Sequence, residues 1–221
     1  MTLRVPILCI ALWLALGGAA DAAADPAQLC ERAAALAARQ EGVPPDVMRA
    51  LTLAETGHRR DGVLQPWAWA VNRAGDGQWF QTEEEAIRFA EATLRQGLRN
   101  FDVGCFQLNH RWHGDQFPDL RTMFDPVANA LYAARFLHSQ YEATGDWTAA
   151  AGAYHSLTPE FAQRYSARFA ALRNGAANTP ITPVQVTQLR VRDNNFPLLR
   201  GGQGLAGSLV PLSGGTRLIG Q

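Results

Sequence analysis

The chain has 221 residues, 47% of them hydrophobic, with 20 basic and 20 acidic side chains and no formal net charge. That balance suits one folded domain with length to spare, and excludes a disordered chain or a disulfide-dense miniprotein. It also argues against a generic nucleic-acid binder, which would carry a basic excess.

The first 24 residues read as a cleaved secretory signal. Arg4 supplies the positive start, residues 5–16 are apolar, and Ala22-Ala23-Ala24 offers a small-residue cleavage site before Asp25. The apolar stretch falls short of the roughly 20 residues that span a bilayer. The expectation is a periplasmic protein with no membrane span once the signal is removed. Cys30 and Cys105 then remain. In an oxidising compartment such an isolated pair forms a disulfide, worth roughly 4–5 kcal/mol by loop closure; two buried thiols are the alternative.

Asp25-Pro26 reads as the cap and first position of an Ala- and Leu-rich helix to about residue 40, stopped by Gly42. Pro44-Pro45-Asp46 opens a second helix, with Val47, Leu51 and Ala54 on one apolar face and Gly57 closing it. Residues 58–81 carry Trp67, Trp69, Val71 and Trp79 in short alternating runs around Gly75-Asp76-Gly77, which predicts one small β-hairpin excursion. Thr82 with Glu85 makes a capping box for a helix to about residue 98. A turn-rich segment follows over 100–124. Further helices are expected from Asp125-Pro126 to about 143, from Asp146 to about 154, and from Thr158-Pro159 to about 172. From residue 174 the chain is rich in Gly, Pro, Thr, Gln and Asn without periodicity, and reads as a flexible tail. That tail holds 4 Arg against one Asp, whereas residues 25–173 hold 15 Arg against 18 acids. The fold class is therefore mainly α: a helical domain over 25–173 with one small hairpin and a flexible tail over 174–221.

Three segments carry candidate chemistry. Glu55 lies in the last turn of the second helix, Leu51-Thr52-Leu53-Ala54-Glu55-Thr56-Gly57. There the negative end of the helix dipole and the unpaired carbonyls disfavour its ionised form. Partial burial would raise its pKa towards neutrality, as a general acid requires. In the second segment, Asp102-Val103-Gly104-Cys105-Phe106-Gln107-Leu108-Asn109, Gly104 permits close backbone approach to a ligand. The Gln107 and Asn109 amides are able to read hydroxyls or an N-acetyl group. The third, Ala151-Gly152-Ala153-Tyr154-His155, ends a helix of small residues with a Tyr whose hydroxyl can stand beside a carboxyl. Taken singly, each also reads as ordinary structure: a surface Glu, a turn, a packed aromatic. His110-x-x-His113 with Asp115 has the residue types of a metal site, but two His three apart fix no geometry and read as surface residues. Glu83-Glu84-Glu85 is an acidic helix start, explained by the dipole.

Together and in this order, the segments resemble the soluble lytic transglycosylase (SLT) family of the lysozyme-like superfamily, over roughly residues 28–172. Glu55 stands where that family has its catalytic Glu, with Thr56 in place of the usual Ser. Gly104-Cys105-Phe106-Gln107 matches its Gly-x-x-Gln segment. Ala153-Tyr154-His155 matches Ala-Tyr-Asn, with His in place of Asn. Asp125-Pro126-Val127-Ala128-Asn129 matches its Asp-Pro-x-x-Asn helix start. The insert Pro66-Trp67-Ala68-Trp69-Ala70-Val71-Asn72 looks like the small members that accompany secretion, conjugation or flagellar machines.

The resemblance implies an α+β lysozyme-like fold and a peptidoglycan lytic transglycosylase. Such an enzyme cleaves the β-1,4 bond between N-acetylmuramic acid and N-acetylglucosamine, leaving 1,6-anhydro ends. Glu55 would act as the one acid and base, with Tyr154 orienting it and Gln107 holding a sugar amide. Gly104, Asn109 and His155 would contribute to subsites, and Trp67 and Trp69 would line the groove. No cofactor and no metal are implied. The implied partners are glycan strands and, through the tail, a protein of an envelope-spanning machine that needs local wall opening. Two rivals remain: a hydrolytic muramidase of goose-lysozyme type with Asp102 as base, and a non-catalytic wall-binding assembly module.

Overall fold

The computed structural model describes residues 24–177. The signal reading, and nearly all of the segment read as a tail, lie outside those residues.

Helix α1 (Pro26–Glu41) starts where expected: Asp25 accepts from the Ala27 N–H, Pro26 follows, and Gly42 ends it in the left-handed conformation. Its inward face is Ala27, Cys30, Ala33, Ala34, Ala37 and Ala38. Side chains this small let it lie close against α6 (Pro126–Thr144), the longest buried helix, whose start is capped by the Asp125 carboxylate. Helix α2 (Pro45–Thr56) packs between α1 and α8 (Pro159–Ala177). Helix α7 (Trp147–His155) fills the angle between α6 and α8. A Cβ at Gly152 would run into Ser166 Oγ and the Ala162 carbonyl, so only glycine lets α7 and α8 come this close.

The β part differs from the sequence expectation of one hairpin. There are two small antiparallel sheets among the described residues. β1 (His58–Arg60) pairs with β2 (Val63–Gln65) as an isolated hairpin. A four-stranded sheet follows the order β4-β3-β5-β6, made of β3 (Ala70–Arg73), β4 (Asp76–Trp79), β5 (Phe101–Val103) and β6 (Leu108–Asn109). Strands of two to four residues are too short to display a period of two, which is why 100–109 reads only as turns. β5 reaches β3 across α3 (Glu83–Arg95), a pairing that periodicity within one segment cannot reveal.

The rest of 110–124 folds into α4 (His110–His113), a 3-10 turn (Gly114–Gln116) and α5 (Leu120–Phe124). Helix α3 has the expected capping box but stops at Arg95, short of Leu98, and α8 continues to Ala177, past the expected end. Among the described residues, eight helices with two small antiparallel sheets make the architecture mainly α and lysozyme-like.

One covalent bond ties the halves together. Cys30 of α1 is joined to Cys105, in the turn after β5, across 75 residues of chain. Replacing both by Ser should lower unfolding stability by about 4 kcal/mol through restored loop entropy. Urea denaturation measures this, and a loss below about 1 kcal/mol would show that non-covalent contacts alone hold the turn.

Candidate active site

Glu55 is the next-to-last residue of α2. Its neighbours Leu53, Ala54 and Thr56 are buried, whereas Glu55 itself is partly exposed, so its carboxyl meets solvent only through a local opening. Burial raises its pKa from the ordinary 4.5 to about 8. A hydrogen bond from Tyr165 opposes that rise, the Asp102 carboxylate adds to it, and the Arg168 charge opposes it. The carboxyl is therefore mostly protonated at neutral pH.

The turn between β5 and β6 forms one wall, fixed from three sides. The Cys105 sulfur is bonded to α1. Its carbonyl accepts from the Thr52 hydroxyl at 2.9 Å and the Thr56 hydroxyl at 3.3 Å, both on α2. From behind, the buried Asn129 of α6 donates to the Val103 and Met123 carbonyls and accepts from the Phe106 N–H at 3.0 Å. Gly104, at φ 76°, lies flat on that amide: a Cβ there would sit 2.9 Å from Asn129 Nδ2. The glycine thus makes room for the Asn129 amide behind the turn.

Gln107 takes a positive φ of 44° and donates its side-chain N–H groups to the Gly104 carbonyl at 3.0 Å and the Ala70 carbonyl at 3.3 Å. With both amide hydrogens used, its oxygen is the atom free to receive a donor.

The phenol hydrogen-bonded to Glu55 is that of Tyr165, while Tyr154 is near enough for the Glu55 charge to be felt at its hydroxyl. Tyr165, on α8, donates a short hydrogen bond to Glu55 Oε1. Tyr154, at the end of α7, instead donates to the Phe106 carbonyl at 2.8 Å and so braces the turn. Burial first, then the Glu55 charge, keep both phenols well above their ordinary pKa, so both remain neutral donors. His155 stacks on Tyr165, with ring centroids 4.3 Å apart and planes within 12°. Burial and the Arg168 charge lower its pKa, which keeps the imidazole neutral at neutral pH. Tyr165 was missed because it is one aromatic on a helix stripe with Phe169. Its polar tip signals a partner, but nothing local says that the partner is on α2.

Asp102, on β5, lies near enough for its charge to be felt at Glu55. Asn109 donates to its Oδ1 at 2.8 Å and Asn72 to its Oδ2 at 3.3 Å. Burial raises its pKa, and the two amides oppose the rise. Asn109 also donates to Asn100 and accepts from the Arg111 N–H, so its amide holds Asp102 and caps α4, with both amide hydrogens used and one oxygen lone pair remaining.

The Trp67 and Trp69 groove role is corrected: Trp67 is 1% exposed and Trp69 8%, both in the core. Trp67 donates its indole N–H to the Phe80 carbonyl. The exposed aromatics among the described residues are Trp79, whose indole N–H donates to the Thr56 carbonyl, Trp112 at 67% exposure and Phe161. His110 stacks on Phe101 whereas His113 bonds the Tyr132 hydroxyl, so the two engage different neighbours.

The chain belongs to the transglycosylase SLT domain family, which matches residues 33–163. No curated protein and no solved structure matches it. The matched stretch includes Glu55, the Gly104–Gln107 turn and Tyr154, and stops two residues before Tyr165. SLT domains act on peptidoglycan as lytic transglycosylases, so the substrate class is peptidoglycan and the place of work is extracytoplasmic. Among the described residues no helix is long and apolar enough to cross a membrane.

Two outcomes follow from the electrostatics. Between pH 4.5 and about 8 the folded chain retains the Glu55 proton that the unfolded chain has released, so stability falls as pH rises through that window. Glu55→Gln should thus stabilise the fold by about 1–3 kcal/mol near neutral pH, with no gain below pH 4.5. Urea unfolding at the two ends of the window tests this; an equal gain at both would refute the raised pKa. Tyr165→Phe removes the bond that favours the ionised carboxylate, so the alkaline limb of the activity profile should move above about 8. Tyr154→Phe should leave that limb in place, and the reverse pattern would overturn the assignment.

Proposed function

We propose that this chain cleaves the β-1,4 bond between N-acetylmuramic acid and N-acetylglucosamine, leaving 1,6-anhydro ends, with Glu55 as the acid and base. The observation that carries this is the Glu55 carboxyl itself: enclosed, bonded by Tyr165, and with a pKa of about 8. Protonated Glu55 donates to the glycosidic oxygen, and the C1–O bond breaks as the substrate's 2-acetamido oxygen closes on C1. Glu55, now ionised and steadied by the Tyr165 hydroxyl, takes the proton of the C6 hydroxyl. That oxygen attacks C1, displaces the acetamido oxygen, and no water is consumed.

Gln107 Oε1 is suited to accept from the sugar's acetamide N–H. Acid–base transfer of this kind contributes about 10²–10⁴-fold, the remainder coming from positioning. The segment 1–24 suits export to the periplasm. The insert at 66–72 and the basic segment 174–221 support a role in local wall opening for an envelope-spanning apparatus, such as a flagellum or secretion system.

A second reading has an observation of its own. Asp102 is a second carboxylate whose charge reaches Glu55, held at both oxygens by Asn72 and Asn109. A pair of carboxylates is what water-using glycosidases need. In that reading Asp102 takes a proton from water, which attacks C1 in place of the C6 oxygen.

Mass spectrometry of sacculi digested by wild type, Glu55→Gln and Asp102→Asn separates the two. Anhydro ends from wild type, reduced about 10²–10⁴-fold in Glu55→Gln, are expected. Hydrated reducing ends that vanish in Asp102→Asn would establish hydrolysis in its place.

A further inference from the structure

Away from Glu55, a half-open cavity of about 570 Å³ lies at the end of the four-stranded sheet, lined by Arg73, Leu98, Arg99, Asn100 and Arg111 among others. Three arginines converge there from three pieces of chain: the end of β3, the loop before β5, and α4. Arg73 lies over the Phe89 ring at 5.1 Å and Arg111 over Trp112 at 4.9 Å, contacts that orient a guanidinium while leaving its charge unneutralised. Arg99 meets one carboxylate, the highly exposed Asp115, at 3.3 Å. That pairing is weak in solvent and open to exchange.

The cavity's position decides what reaches it. Its wall residue Asn100 accepts from the same Asn109 amide that donates to Asp102, so the cavity begins one amide group from Asp102. Strand alternation turns Asn72 towards Asp102 and the neighbouring Arg73 towards the opposite face, against Phe89. A sugar bound beside Glu55 and Asp102 therefore does not occupy it. That leaves the cavity to a substituent that passes round the end of the sheet. In peptidoglycan that substituent is the peptide stem on muramic acid, which carries several carboxylates, and arginine forks are the side chains best matched to carboxylates.

We infer that the cavity between Arg73, Arg99 and Arg111 binds the carboxylates of a muramyl peptide stem and makes the chain selective for peptide-bearing glycan. The inference rests on the proposed glycan substrate, but its binding test does not depend on turnover. Calorimetric titration of the stem tetrapeptide, released from peptidoglycan by an amidase, into the full Glu55→Gln chain should show saturable binding. Arg73→Gln/Arg111→Gln should weaken that binding about tenfold or more. No saturable binding, equal binding by both proteins, or equally tight binding of an unrelated oligoglutamate would overturn it.

Turnover supplies the second arm. The wild-type chain should cleave peptide-bearing strands about tenfold more efficiently than amidase-stripped strands. The double variant should lose that preference and cleave stripped strands as wild type does. Stem binding without cleavage of either strand would sink the proposed reaction and leave the cavity assignment standing. Cleavage of both strands alike would do the opposite.

Discussion

The site depends on keeping one carboxyl partly out of water. An acid with a pKa near 4.5 is useless as a proton donor at neutral pH, and burial is the largest influence that lifts Glu55 to about 8. Burial of that kind needs walls on several sides, and the walls come from distant parts of the chain: α2 itself, the turn after β5, and α8. The Tyr165 bond sets the opposite limit. It favours the ionised form and so holds the rise below what burial alone would give.

Those walls are rigid because one peptide unit is tied from several directions. Cys105 is covalently joined to α1, its carbonyl accepts from two hydroxyls of α2, and the next N–H is held by Asn129 of α6. Thr56 links a further neighbour, since its hydroxyl oxygen accepts from the Trp67 N–H while the hydroxyl donates to the Thr52 and Cys105 carbonyls. A small domain with two- to four-residue strands has little sheet to rely on, and these side-chain bonds substitute for it. The same economy explains why Gly104 and Gly152 have no room for a Cβ: both mark places where two backbones or a backbone and a buried amide touch.

The two carboxylates are treated differently. Glu55 meets a single neutral donor, whereas Asp102 meets two amides that favour its charge. Burial raises both, Glu55 to about 8 and Asp102 above its ordinary value, and the two amides hold the Asp102 rise down. Away from them, Arg73, Arg99 and Arg111 gather positive charge at the sheet's end.

Much of this was legible in the residues alone. The caps Asp25, Thr82, Asp125 and Asp146, each followed by helix-compatible residues, determined where helices begin, because capping is a local hydrogen-bond problem. The order of Glu55, Gly104–Gln107 and Tyr154 determined the family, and the compartment argument anticipated the pairing of Cys30 with Cys105. Whether a side chain is enclosed, and by what, is not local. Tertiary packing alone put Tyr165 on Glu55, sent Tyr154 to the Phe106 carbonyl, sank Trp67 and Trp69 into the core, and gave Asn109 to Asp102. Each of those partners lies on another element, from 7 to 110 residues away, and a chain pattern records which faces are apolar without recording which faces meet.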